Sequence, residues 1–195
     1  LAGTDTLILS DENMLGSPMG NLKARTLYPA AGERLARISA ALRDQVHRVV
    51  LSIRSPDAYW GSLLAMTVAR GHAVPGPAVI KALASNRRGW RDVITDVACA
   101  VPGADLRVMP HEAFGSTPET RLDMMAGRAC GLPKQRDWLN RSADLPSLRR
   151  ALRDRGQNPN VLPHGDARWT PFDAGQGAAL RETYADDLHW LMGGA

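Results

Sequence analysis

Apolar residues fall along this chain in two kinds of run: short stretches of four or five, and longer ones in which they recur every third or fourth position. The first kind reads as strands, the second as amphipathic helices. Thr6-Leu7-Ile8-Leu9 and Val49-Val50-Leu51-Ser52-Ile53 are nearly continuous, as expected of strands covered on both faces of a parallel sheet. A third strand is predicted at Asp105-Leu106-Arg107-Val108-Met109. Between the first two, Pro29 opens a helix with Ala31, Leu35, Ile38 and Leu42 on one face and Glu33, Arg34, Arg37 and Arg43 outside. The product is a β-α-β unit, for which a right-handed parallel crossover is expected.

The stretch from His47 to Arg70 organises the rest. Its strand stops at Arg54; Ser55 is a good N-cap, Pro56 suits the first helical position, and Asp57 complements the helix dipole. Tyr59, Trp60, Leu63, Leu64, Met66 and Val68 make the ensuing helix apolar nearly all round, hence buried, with Ser62 as a polar exception. Gly71 to Pro77 breaks the chain before a short helix at Ala78 to Ala84 and a longer one from about Arg87 to Ala100. The order β-α-β-α-α-β is doubly wound. Thr117-Pro118-Glu119-Thr120 then caps a helix bearing Leu122, Met124 and Met125, closed near Gly131. Further on, Leu145, Leu148 and Leu152 line a helix whose other faces carry Arg149, Arg150, Arg153 and Arg155, a solvated basic face or, more sharply, a polyanion strip. A last helix carries Leu180, Tyr184, Leu188 and Leu191.

Length and composition narrow this picture. The 195 residues, 44% of them apolar, suit one α/β domain with or without a small appendage. The net charge of +4 comes from 24 basic residues interleaved with 20 acidic ones, so nucleic acid is not the expected partner. Cys99 and Cys130 stand in apolar surroundings without metal-ligand spacing, and are expected as buried free thiols in a reducing compartment, the cytoplasm, with no metal site. No apolar run is long enough to suggest a membrane span.

Ligands of open α/β sheets bind beyond the carboxyl ends of the strands, where an arginine can grip a phosphate with two parallel hydrogen bonds. Arg54 has that position. Alternatively it pairs with a carboxylate while Ser62 bonds back to a helix carbonyl. Asp11 and Glu12 follow the first apolar run, either as carboxylates at a strand's end or as turn formers.

The pattern of strand, Arg54, Ser55-Pro56-Asp57 and Ser62, eight residues after the arginine, resembles the 3′-phosphate-binding segment of sulfotransferases that use 3′-phosphoadenosine 5′-phosphosulfate (PAPS). The strand leading to His111-Glu112-Ala113-Phe114 and a Pro118-Glu119 helix is similar to that family's strand-Tyr-Glu-Asp-Leu segment, with His111 in place of the tyrosine and Glu112 as a structural residue. Gly165-Asp166, Trp169, Phe172 and a helix with Gln176, Leu180 and Tyr184 are similar to the C-terminal segment of the cytosolic members.

The likeness covers most of residues 7 to 192. It implies a P-loop-type α/β fold, a three-layer parallel sheet of sulfotransferase topology with C-terminal helices. The whole of 1–195 would be one domain, with sheet and crossover helices in 1–132 and a helical cap in 133–195. It further implies PAPS as sulfuryl donor, its product PAP as the bound nucleotide, and a hydroxyl-bearing acceptor such as a carbohydrate or small molecule. Arg54 and Ser62 would hold the 3′-phosphate, and Glu12 would be the catalytic base, with Asp11 as its rival.

Two features of that family are missing. No glycine-rich 5′-phosphosulfate loop occurs, and Lys23, Lys81 and Lys134 lie in none of the matching positions. The Arg-Lys-Gly motif before Gly165-Asp166 is also absent, leaving Arg168 as a substitute. Since the chain opens Leu1-Ala2-Gly3-Thr4 as the middle of a protein would, the expectation is that a strand and the loop precede it. A noncatalytic binding or assembly module on the same scaffold, and nucleic-acid binding through Arg149 to Arg155, are the alternative functions.

Overall fold

In a computed structural model, which describes residues 6–134 and 141–194, the elements run α1 (Pro18–Ala24), α2 (Ala31–Ala41), β1 (Arg48–Ile53), α3 (Pro56–Ala69), α4 (Pro77–Ala84), α5 (Trp90–Ala100), β2 (Asp105–Pro110), α6 (His111–Phe114), α7 (Pro118–Ala126), α8 (Leu145–Asp154) and α9 (Ala174–Met192). The architecture is mixed α/β. Two compact units divide the chain, residues 6–54 with 88–134 and residues 55–87 with 141–194. The opening residues Leu1 to Thr4 lie outside the described residues.

In the first unit β1 and β2 pair in parallel, from Arg48 opposite Asp105 to Ile53 opposite Pro110. Side chains fix the start of this register. Arg48 Nε donates to Asp105 Oδ2 at 2.9 Å and Arg107 Nε to Oδ1 at 2.8 Å, and these two hydrogen bonds hold the Asp105 carboxyl below the usual carboxylate range. Arg48 Nη1 also donates to the Met124 carbonyl, tying α7 to β1. The predicted face of α2 is buried through Ala31 and Leu35, and Leu35 meets Val97 and Val101 at the α5 end, with Val46, Val49 and Leu106 beside them. Gly32 permits the close approach: a Cβ there would stand 3.0 Å from the Asp96 carbonyl oxygen.

The expected first strand is not formed. Thr6 to Leu9 is irregular, and Leu7, at 56% exposure, faces solvent. Four apolar residues satisfy a strand pattern, but a strand also needs a neighbour to take up its N–H and C=O groups, and local preference alone does not supply one. The sheet therefore has two strands among the described residues rather than the three that were expected. The thiols differ too: Cys99 is exposed on α5, while Cys130 is partly buried with its N–H donating to Asp123 Oδ1 at 2.6 Å. The apolar positions near Cys99 are the inward ones of an amphipathic helix, and Cys99 is on its other face.

The second unit is built on α3, which is buried along most of its length, as its all-round apolar pattern predicts. Trp60, Leu63, Leu64 and Val68 form its core with Leu145, Leu148 and Leu152 of α8 and Leu180 and Tyr184 of α9. The basic face expected on α8 is only partly solvated. Arg149 donates to the carbonyls of Pro159 and Leu162 and to Asn160 Oδ1, and Arg155 Nη2 donates to the Val68 carbonyl at 2.8 Å. Arg150 and Arg153 stay exposed. Two of these four arginines thus spend their donors on backbone carbonyls. At the head of α9, Asp173 and Gln176 form a reciprocal capping box.

The cap of α3 differs from expectation. Ser55 Oγ donates to Asp57 Oδ1, the same oxygen that accepts the Ala58 N–H, while Asp57 Oδ2 accepts from Arg181 Nη1 of α9 at 2.7 Å. Burial alone would raise the Asp57 pKa, but the hydrogen bonds from Ser55, Arg181 and Ala58 outweigh it and hold the group below 3.8. A depressed carboxylate contributes stability that is complete above its unfolded pKa and is lost as pH falls through the folded value. Replacing Asp57 by asparagine is expected to cost this unit about 1–2 kcal/mol at neutral pH and to flatten its loss of stability in acid. Urea unfolding at neutral and acid pH checks both.

Candidate functional site

The register of the parallel pair brings an arginine and a histidine to one sheet end. Ile53 and Pro110 are the last paired residues, so Arg54 and His111 are the residues that follow the two adjacent strands. The backbone at Arg54 is held by a buried indole: Trp90 Nε1 donates to the Arg54 carbonyl at 2.7 Å. Trp90, only 2% exposed, opens α5, where Asp92 Oδ2 accepts the Gly89 N–H and so fixes the helix start. Its ring lies against Tyr28, with centroids 5.9 Å apart. Tyr28 has φ +39°, an unusual value for a non-glycine residue, and Arg88 binds the Leu27 and Tyr28 carbonyls at 2.7 and 3.1 Å while pairing with Asp96.

His111 opens α6 over Gly115, where a Cβ would stand 2.5 Å from the imidazole Cε1 and 2.7 Å from Nδ1. Burial, then the positive charge of Arg54, holds its pKa below the usual 6.5; Arg121 adds to that effect and Glu112 opposes it. Arg121, on α7, has a buried Nε without a hydrogen-bond partner, as has Glu119 Oε2. Two guanidinium groups and the Glu112 carboxylate thus act electrostatically on the His111 imidazole at this sheet end. Such a set can hold an oxyanion by charge-assisted hydrogen bonds.

The other residues expected at a site are placed as follows. Glu12 is exposed on a turn spanning residues 12 to 15 and does not follow a strand. Asp11 forms that turn, its Oδ1 accepting the Asn13 N–H at 2.7 Å and its carbonyl accepting from Met14. Arg34 fastens the turn to α2 by donating to the Asn13 and Met14 carbonyls. Ser62, in the second unit, has its Oγ hydrogen-bonded to Ser142 Oγ rather than to a helix carbonyl. Arg168 is exposed, and its backbone bridges to Asp144. Among the described residues no three His, Cys, Asp or Glu side chains gather as metal ligands would, and no helix is long and apolar enough to cross a membrane.

Trp90, Arg88 and Arg121 carry weight here that the sequence reading did not give them. Gly89-Trp90-Arg91-Asp92 held the available signal, an aspartate three residues after a glycine at a helix start. Arg121 had none. No protein-family model, no curated protein and no solved structure matches this chain.

Proposed function

We propose that this chain is a PAPS-dependent sulfotransferase of the P-loop type, acting on a hydroxyl acceptor, with a cytoplasmic address. The observation that carries the reading is the place of Arg54, on the residue that follows β1 at the carboxyl end of a parallel strand pair. That is where nucleotide phosphates bind in open α/β sheets. Trp90 supports it by fixing the peptide from which the Arg54 side chain projects.

In the reaction the acceptor oxygen attacks the sulfur, the bond from sulfur to the phosphate oxygen breaks, and PAP leaves. The acceptor proton passes to a base, for which the family likeness assigns Glu12 with Asp11 as the rival. Cations must meet the negative charge of the nucleotide, and Arg54 is the one assigned to its 3′-phosphate.

Equilibrium titration with PAP and with AMP, which lacks the 3′-phosphate, tests the reading. One charge-assisted contact contributes roughly 1.5–3 kcal/mol, so PAP is expected to bind at least about tenfold tighter than AMP. Equal affinities would contradict the assignment. Selective PAP binding without sulfuryl transfer in the presence of PAPS would favour a noncatalytic binding module on the same scaffold.

A further inference from the structure

We propose that His111 is a proton-gated ligand of the anion held by Arg54: it takes up a proton when a doubly charged phosphate monoester binds and gives it back when the anion leaves. The inference rests on the reading of Arg54 as a phosphate ligand and narrows the ligand's chemistry. Adjacent strands lie about 4.8 Å apart, and Arg54 and His111 occupy the positions just beyond the paired residues Ile53 and Pro110. One tetrahedral anion is small enough to meet both side chains across that gap.

The imidazole packs along its own short helix. It lies against Gly115, whose N–H donates to the His111 carbonyl at 2.7 Å and whose lack of a Cβ leaves the room that the ring occupies. The charged groups acting on it are Arg54 beyond β1, Arg121 on α7 and Glu112 beside it on α6, the element that packs on β2 and α7. With no anion present, burial and the two guanidinium groups favour the neutral ring. An anion among them offsets the guanidinium charges and favours the charged ring. Arg121 adds an independent indication, since its buried Nε has an unused donor.

Three positive charges against Glu112 suit a dianion, which a terminal phosphate supplies at neutral pH and a phosphodiester does not. Without the anion His111 titrates below an ordinary histidine, and with the anion bound it titrates above that value. Affinity therefore rises as pH falls, by up to about tenfold per pH unit for one linked proton. It levels off once the free protein is protonated too.

Proton NMR of the histidine Cε1–H signals, with His111 identified by its loss in His111→Gln, measures this directly. PAP is the first probe, and sulfate, a dianion that does not itself titrate near neutrality, is the second. The expected result is that both raise the His111 pKa, that PAP affinity increases from about pH 8 to about pH 6, and that His111→Gln flattens this increase while leaving the fold intact by circular dichroism. If PAP binding is lost in Arg54→Ala but the His111 signal does not respond, the proton-gated role is overturned and the nucleotide reading stands. If sulfate moves His111 and PAP does not bind, the proton-gated anion site stands and the nucleotide reading falls. If neither probe binds, both fail.

Discussion

Replacing Trp90 by alanine is expected to lower the stability of the unit holding the parallel strands by about 3–5 kcal/mol, the range for deleting a large buried aromatic side chain. The ring is 2% exposed, packs on Tyr28 and donates to the Arg54 carbonyl, so packing and a buried hydrogen bond are lost together. Trp90→Phe separates the two. It keeps an aromatic ring but removes the N–H, leaving the Arg54 carbonyl without its donor at a cost of about 1–3 kcal/mol. Because that carbonyl belongs to the residue assigned to phosphate, Trp90→Phe is also expected to weaken PAP binding. Urea unfolding read by far-ultraviolet circular dichroism checks the stabilities. An unchanged midpoint in Trp90→Ala would mean that the indole is not the anchor described above.

Arg54→Ala is expected to weaken PAP binding roughly 30- to 150-fold, the equivalent of about 2–3 kcal/mol for a charge-assisted contact. Its effect on folding is expected to be small by comparison, because Trp90 contacts the Arg54 backbone, which alanine retains. Arg54→Lys should fall between the two, since an ammonium keeps the charge but not the planar pair of donors that matches a phosphate. A lysine variant as weak as alanine would show that geometry dominates charge at this position.

Much of the scaffold was legible because its signals are local. Ser55-Pro56-Asp57 announced a helix start, and α3 begins at Pro56; the all-round apolar pattern after it announced burial, and α3 is buried along most of its length. The α2 face through Leu35 and the amphipathic α8 behaved in the same way, because a helix satisfies its own backbone and needs only somewhere to bury one face. Strands do not. β1 and β2 were found because each has the other, whereas Thr6 to Leu9 has similar residues but no strand partner among the described residues, and a single sequence does not reveal pairing.

The candidate site was legible only where one residue type at one position sufficed. Arg54 followed from a strand end, but its support by Trp90, Tyr28 and Arg88 joins residues up to 61 positions apart, beyond the reach of periodicity or spacing. Asp11 and Glu12 illustrate the converse. Their position after an apolar run suggested a strand end, yet Asp11 bonds to the second residue after it, the short-range interaction that makes aspartate a turn former. Similarly, Arg149 and Arg155 read as surface charge because nothing nearby in sequence reveals which carbonyls they reach.

Isothermal titration of PAP into the wild-type chain and into Arg54→Ala, at the same low ionic strength, tests most directly whether the cationic end of the parallel strand pair holds a phosphate. The expected result is saturable one-to-one binding to the wild type that is lost or strongly weakened in a variant whose circular dichroism is unchanged. Equal binding to both proteins, or none to the wild type, would contradict it.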